Sequence, residues 1–114
     1  MVIKVSLESR KRWDIIFKDE GRWLCGLYVP EHTSREQVKR LERHEGPELF
    51  YLVKGRIVLV LSSDGKNVIE VLMEKGMVYV VEEWHNAFRP DGVEGVSLVV
   101  ERADVRTEFL NIES

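Results

Sequence analysis

Two histidines and two glutamates in this chain are spaced so that an extended backbone turns them to one side. Residues 42–55 read Glu-Arg-His-Glu-Gly-Pro-Glu-Leu-Phe-Tyr-Leu-Val-Lys-Gly. Side chains alternate along a strand, so Glu42 and His44, two apart, share a face. Gly46-Pro47 turns the chain, and Glu48 keeps the parity of His44, with Phe50 and Leu52 continuing that face inward. A second segment, 76–88, reads Gly-Met-Val-Tyr-Val-Val-Glu-Glu-Trp-His-Asn-Ala-Phe and gives Glu83 and His85 the parity of Tyr79 and Val81. With the two segments side by side, Glu42, His44, Glu48 and His85 converge. Two imidazoles and one or two carboxylates form a mixed nitrogen and oxygen ligand set, which suits divalent Fe, Mn, Ni, Zn or Co rather than Ca or Cu(I). An ion held there would serve as a Lewis acid or an oxygen-binding centre, with the carboxylates balancing its charge. Glu83 is a further candidate for the same pocket, and Phe50 and Tyr79 have the parity to wall it.

The elements that would position these residues read as short strands between turns. Residues 13–18 (WDIIFK) and 22–29 (RWLCGLYV) are rich in β-branched and aromatic side chains, with Asp19-Glu20-Gly21 turning between them. Residues 2–7 (VIKVSL) alternate weakly and form a further strand candidate. In 33–41, Thr33 with Glu36 and Ser34 with Gln37 have capping-box spacing, but only Val38 and Leu41 are apolar, so at most one helical turn is expected near 34–39. From Glu48 the strand signal is strong: 48–53, 56–62, 67–73, 77–81 and 96–101, bounded by Lys54-Gly55, Ser63-Asp64-Gly65, Glu74-Lys75-Gly76 and Arg89-Pro90-Asp91-Gly92. Seven or more short strands with glycine-bearing turns predict an all-β barrel or sandwich. The near-continuous apolar runs predict strands covered on both faces.

Composition narrows the classes. The chain has 114 residues, the length of one domain over 1–114, with 44% hydrophobic residues, which excludes a disordered chain. There is no apolar run of the ~20 residues that a membrane span needs and no hydrophobic leader after the first Met, so a cytoplasmic protein that binds no membrane is expected. Twenty acids against 17 bases leave no basic footprint for nucleic acid. A single cysteine, Cys25, excludes an internal disulfide and a thiolate metal cluster, and in its apolar setting it is expected to be a buried, inert thiol. Charged residues reach 32% beside one Gln and three Asn, a pattern that suggests a thermophilic source.

The segment around His44 and the segment ending at His85 resemble the two motifs of the cupin superfamily. His44, Glu48 and Gly55 fit the second His, the Glu and the closing Gly of the first motif, and Phe50-Tyr51-Leu52 is similar to its aromatic and aliphatic run. Gly76 and His85 resemble the ends of the second motif, and Trp84-His85-Asn86-Ala87-Phe88 is similar to its usual close. The likeness covers residues 40–101. It implies a double-stranded β-helix, a jelly-roll barrel, often dimeric and commonly holding one metal on three His and one Glu. This chain departs from the pattern in three places. Glu42 stands where the first His would be, no glycine precedes it at the usual distance, and Glu82-Glu83 replaces the Pro-x-Gly corner.

The chain is most similar to small stand-alone cupins without an assigned reaction. A metal site on Glu42, His44, Glu48 and His85 acting on a small polar molecule is one expectation. A metal-free module binding a carbohydrate or carboxylate, or a homodimeric sensor domain, is the other. Each candidate also has a plain reading: His44 and Glu48 as a polar pair, Glu42 within the solvated run Lys39, Arg40, Arg43 and Glu45, and His32 as a surface histidine. Arg40 and Arg56 could take a substrate carboxylate, though nothing in the sequence sets them above the other arginines. Residues 2–29, with Trp13, Ile15, Ile16, Phe17 and Trp23, carry more apolar surface than a minimal barrel needs, so a homodimer is expected.

Overall fold

The computed structural model describes residues 1–112. Ten strands follow in order: β1 (Trp13–Asp19), β2 (Trp23–Tyr28), β3 (Arg40–His44), β4 (Glu48–Gly55), β5 (Val58–Ser62), β6 (Ile69–Leu72), β7 (Val78–Val81), β8 (Trp84–Phe88), β9 (Gly95–Arg102) and β10 (Thr107–Asn111). Among the described residues, helix is confined to two three-residue 3-10 turns, Arg35–Gln37 and Pro90–Gly92. The first lies within the stretch where a single helical turn was expected, and there the Gln37 side chain accepts from the Thr33 backbone N–H at 2.7 Å. No helix among the described residues is long and apolar enough to cross a membrane.

The strands form two antiparallel five-stranded sheets, β1-β2-β9-β4-β7 and β10-β3-β8-β5-β6. Between them lies a core of Phe50 and Leu52 from β4, Leu59 and Leu61 from β5, Val81, Ala87 and Val99, closed by Ile57 and Met73. Strand β5 is buried along its whole length, as its apolar run predicts. Leu59 and Leu61 face the inter-sheet core, while Val58 and Val60 face a second cluster with Val38, Leu41 and Phe88. This is the expected all-β jelly roll, a double-stranded β-helix.

Seven connections carry the chain from one sheet to the other, and two of them directly position the candidate residues. Glu45-Gly46-Pro47 passes from β3 to β4, and Glu82-Glu83 passes from β7 to β8. Gly46 has φ +81°, a left-handed backbone that calls for glycine, while a Cβ there would meet only the exposed Arg102 side chain, which can move aside. His44 and Glu48 therefore project from opposite sheets. The segment 76–88 is two strands, because the paired acids form the crossing.

Two expectations about elements differ from the structure. Residues 2–7 form no strand: Val2, Ile3, Val5 and Leu7 are exposed, and no neighbouring edge pairs with them. Conversely β10 was not expected; it pairs with β3 through Thr107↔His44 to Asn111↔Arg40 and supplies an outer strand beside the site.

The outer face of the first sheet is unusually apolar. Strand register aligns Phe17, Cys25, Val100, Leu49 and Val80 in one row across all five strands. Leu98, Tyr51 and Val78 make a second row, which continues to Leu27, itself fully buried. Phe17 is 42% exposed and Val80 66% exposed. Cys25 lies half-buried in the first row, not sealed in the core, and burial pushes its thiol pKa up.

Candidate metal centre

Strand pairing brings the candidate residues together. Glu42 on β3 is directly opposite His85 on β8, within the second sheet. His44 lies two residues further along β3, so it shares the face of Glu42. From the first sheet, Glu48 opens β4 with the inward parity of Phe50. The two imidazole rings are 5.7 Å apart between centroids. His44 Nε2 lies 3.4 Å from Glu42 Oε1 and 3.5 Å from Glu48 Oε1. His85 Nε2 lies 2.6 Å from Glu48 Oε2 and 3.9 Å from Glu42 Oε1. All four sequence candidates thus meet, with Glu42 at the rim, its side chain 40% exposed.

A fifth residue, Glu101, belongs to the cluster, its Oε2 3.9 Å from His44 Nε2. It lies on β9 one register step beyond the Leu49↔Val100 pair, beside Glu48, with the inward parity of Val99. Its signal in the sequence was a lone acid closing the apolar run VSLVVE. Glu83, the fifth candidate from sequence, does not line the cavity with its side chain; its backbone carbonyl instead accepts from His85 Nδ1 at 2.9 Å. The crossing at Glu82-Glu83 breaks the parity that made Glu83 seem to face inward. Phe50 walls the cavity, its ring 5.8 Å from His85, whereas Tyr79 receives the Glu74 backbone N–H on its hydroxyl at 2.9 Å.

Second contacts set which ring nitrogen faces the cluster. A carbonyl only accepts, so His85 Nδ1 carries the hydrogen, and in the neutral ring Nε2 presents its lone pair inward. His44 Nδ1 contacts Thr107 Oγ1 at 2.8 Å, again leaving Nε2 for the cluster. The separation of 2.6 Å between His85 Nε2 and Glu48 Oε2 lacks the alignment of a hydrogen bond, and Nε2 is buried without any hydrogen-bond partner among the described residues. A lone pair pressed against a carboxylate oxygen calls for a cation or a proton between them.

Electrostatics agree. Contact with Glu42 raises the His44 pKa against the opposing effect of burial. For His85, burial acts downward but Glu48 outweighs it, and the pKa is raised. Burial acts upward on Glu42 and Glu48, yet the imidazoles hold both below the usual carboxylate value. Glu101 is pushed up to about 8, by burial first and then by its hydrogen bond with Glu48.

The donor set fits a single divalent ion. Ligand atoms of Glu42, His44 and His85 lie within 4.8 Å of one another, as do those of His44, Glu48 and Glu101. An ion about 2.0–2.2 Å from each donor spans at most about 4.4 Å between two of them, so side-chain shifts of a few tenths of an ångström suffice. The cluster opens on a cavity of about 180 Å³, lined also by Arg12, Trp13, Tyr28 and Asn86. Buried donors on one side and an open cavity on the other are the arrangement of a metal site that keeps a position for a ligand.

Fold and site together define a jelly-roll protein with a histidine–carboxylate cluster in the barrel, and the fold is that of the cupins. It is similar to a cupin-2 domain containing protein from Shewanella frigidimarina NCIMB 400, with a TM-score of 0.59 and 13% identity over 83% of each chain. It is similar to HppE in its Co(II) complex with substrate, with a TM-score of 0.65 and 18% identity over 86% of this chain and 57% of that one. The DMSP lyase DddQ from Ruegeria pomeroyi DSS-3 aligns with a TM-score of 0.60 and 12% identity over 95% of this chain and 59% of the lyase. The chain therefore spans little more than half the length of these two enzymes. No family model matches the chain, and no curated protein matches it.

Proposed function

We propose that this chain is a mononuclear metalloprotein of cupin fold that acts on a small polar molecule. His44, His85 and Glu42 would hold a divalent transition ion, with Glu48 as the fourth ligand touching both rings. The buried Nε2 of His85, 2.6 Å from Glu48 Oε2 yet without an aligned hydrogen bond, carries this reading. When bound, the ion would supply Lewis acidity or an oxygen-binding centre. Two carboxylates would nearly cancel its charge and weaken that acidity, which favours isomerase, lyase or hydrolytic chemistry. The Glu83 carbonyl and Thr107 orient the two rings, Trp13 and Phe50 wall the cavity, and Glu101 stands beside the ligands as a carboxyl able to hold a proton. That HppE is known in a Co(II) form with substrate supports the choice of a transition ion in this fold. Elemental analysis of untagged protein tests the reading: about one equivalent of Fe, Mn, Ni, Co or Zn is expected, and none in His44→Ala. Metal-free protein that takes up none of these ions contradicts it and leaves a metal-free binding module.

We also propose that the chain pairs with a second copy through the outer face of its first sheet. Antiparallel sheets that face water ordinarily alternate apolar and polar residues, whereas here the outward positions of the central strands are apolar too. Contiguous exposed apolar surface of this kind marks an interface.

A further inference from the structure

One cation lines the cavity beside the three carboxylates. Arg12 stands one step beyond the first rung of the β1–β2 ladder, where its backbone carbonyl accepts from Val29 N–H at 3.0 Å. This fixes its backbone at the mouth, next to Trp13 and Tyr28, which form that rung. The Trp13 ring lies over Gly26, where a Cβ would come within 2.5 Å of it, so glycine makes room for this wall. Arg12 lines both the inner cavity and an outer recess of about 350 Å³, and Tyr28, Glu42 and Asn86 are likewise shared by the two. Its guanidinium forms no ion pair or hydrogen bond among the described residues. The other cations of the recess are engaged: Arg40 lies over the Phe109 ring at 4.2 Å, and Lys39 has a partner too. Asn86 is fixed, donating to the Arg40 carbonyl at 2.7 Å and accepting from Ala87 N–H at 2.8 Å. Tyr28 Oη is 3.5 Å from Asn86 Oδ1, a long contact that leaves the hydroxyl able to turn toward a ligand.

We propose that Arg12, with the Tyr28 hydroxyl, anchors the carboxylate of a small monocarboxylic acid whose uncharged polar end, a hydroxyl or carbonyl, reaches the histidine–carboxylate cluster. The inference deepens the metal-site reading and rests on it for what the inner end meets. A guanidinium presents paired N–H donors that match a carboxylate, and here no protein carboxylate occupies them. An uncharged inner end fits, because Glu42 and Glu48 would already balance the charge of a divalent ion and leave no excess positive charge for a second anionic group. The inner cavity, about 180 Å³, is a small-molecule site that opens outward past Arg12. Neither Arg40 nor Arg56, the candidates from sequence, lines this inner cavity.

The test is calorimetric binding of glycolate, lactate and pyruvate, each against its neutral amide, to Ni(II)-loaded protein and to R12Q, with metal content measured on both. At least one acid should bind at least tenfold tighter than its amide. R12Q should lose that preference, and R12K should restore part of it, with metal content and thermal midpoint unchanged because Arg12 is exposed. Amides binding as well as acids, a preference that survives R12Q, or no acid binding at millimolar concentration overturns the anchor. If wild-type protein takes no metal yet binds acids through Arg12, the anchor stands and the metal reading falls. If metal loads normally and Arg12 is irrelevant, the metal reading stands alone.

Discussion

His85 shows how one side chain can be legible by type and position yet not by its surroundings. Its parity and its motif setting were plain in the sequence, and so were those of His44 and Glu48. The Glu83 carbonyl that fixes its ring was not, because a backbone acceptor leaves no mark on residue type. Glu101 escaped for a different reason: a single acid at the end of a strand reads as the strand's solvated tip until register places it beside Glu48. Its pKa makes a prediction for the metal-free protein. A group whose folded pKa is raised stabilises fully below its unfolded value, and that stability fades as pH rises through the folded value. For Glu101 the window runs from 4.5 to about 8. His44 and His85, both raised from 6.5, lose their contribution as pH rises above 6.5. Glu42 and Glu48, lowered from 4.5, lose theirs only on the acid side. The thermal midpoint of metal-free protein should therefore fall between about pH 6.5 and 8, and Glu101→Gln should flatten that fall. A midpoint that rises across this window contradicts the assigned shifts.

Strands β4 to β7 and β9 were readable because β-branched runs lay beside glycine turns, and β5 in particular because an unbroken apolar run has to be covered on both faces; β8 was not separated from β7, because the Glu82-Glu83 crossing has no glycine or proline to mark it. The two failures share one cause, since pattern does not say whether a partner edge exists. Residues 2–7 alternate but meet no edge in this chain, while the short, half-exposed β10 pairs with β3 despite a weak pattern. At this scale the Gly46 crossing matters most, because it sets Glu48 against His44 from opposite sheets. Gly46→Ala should lower stability by about 1–2 kcal/mol from its left-handed backbone alone, measured by urea unfolding. It should weaken metal uptake as well, and unchanged affinity would show that the crossing does not position the site. Leu59→Ala, in the centre of β5, should cost about 3 kcal/mol while leaving metal uptake near normal, since it empties the core away from the cluster.

The sheet arrangement gives the whole molecule two unlike ends of consequence, a closed core and a mouth with Arg12, and one apolar outer face. The sequence indicated surplus apolar surface in residues 2–29, but only register shows that Phe17, Cys25, Val100, Leu49 and Val80 form a continuous row. Light scattering should give a particle of twice 13.3 kDa at micromolar concentration. Phe17→Glu with Val80→Glu should shift it to monomer without loss of the barrel's circular dichroism. A wild-type particle of 13.3 kDa removes the interface.

Titration of chelator-treated protein with Ni(II) or Mn(II), followed by calorimetry in two buffers of different ionisation enthalpy, tests most directly whether the cluster holds an ion. Ligation needs deprotonated imidazoles, and both histidines are raised above 6.5, so binding near neutral pH must expel protons. The predicted result is one ion per chain with proton release that grows as pH is lowered from 8 toward 6.5, and loss of binding in His85→Ala. No saturable uptake, or uptake that His85→Ala leaves intact, would contradict it.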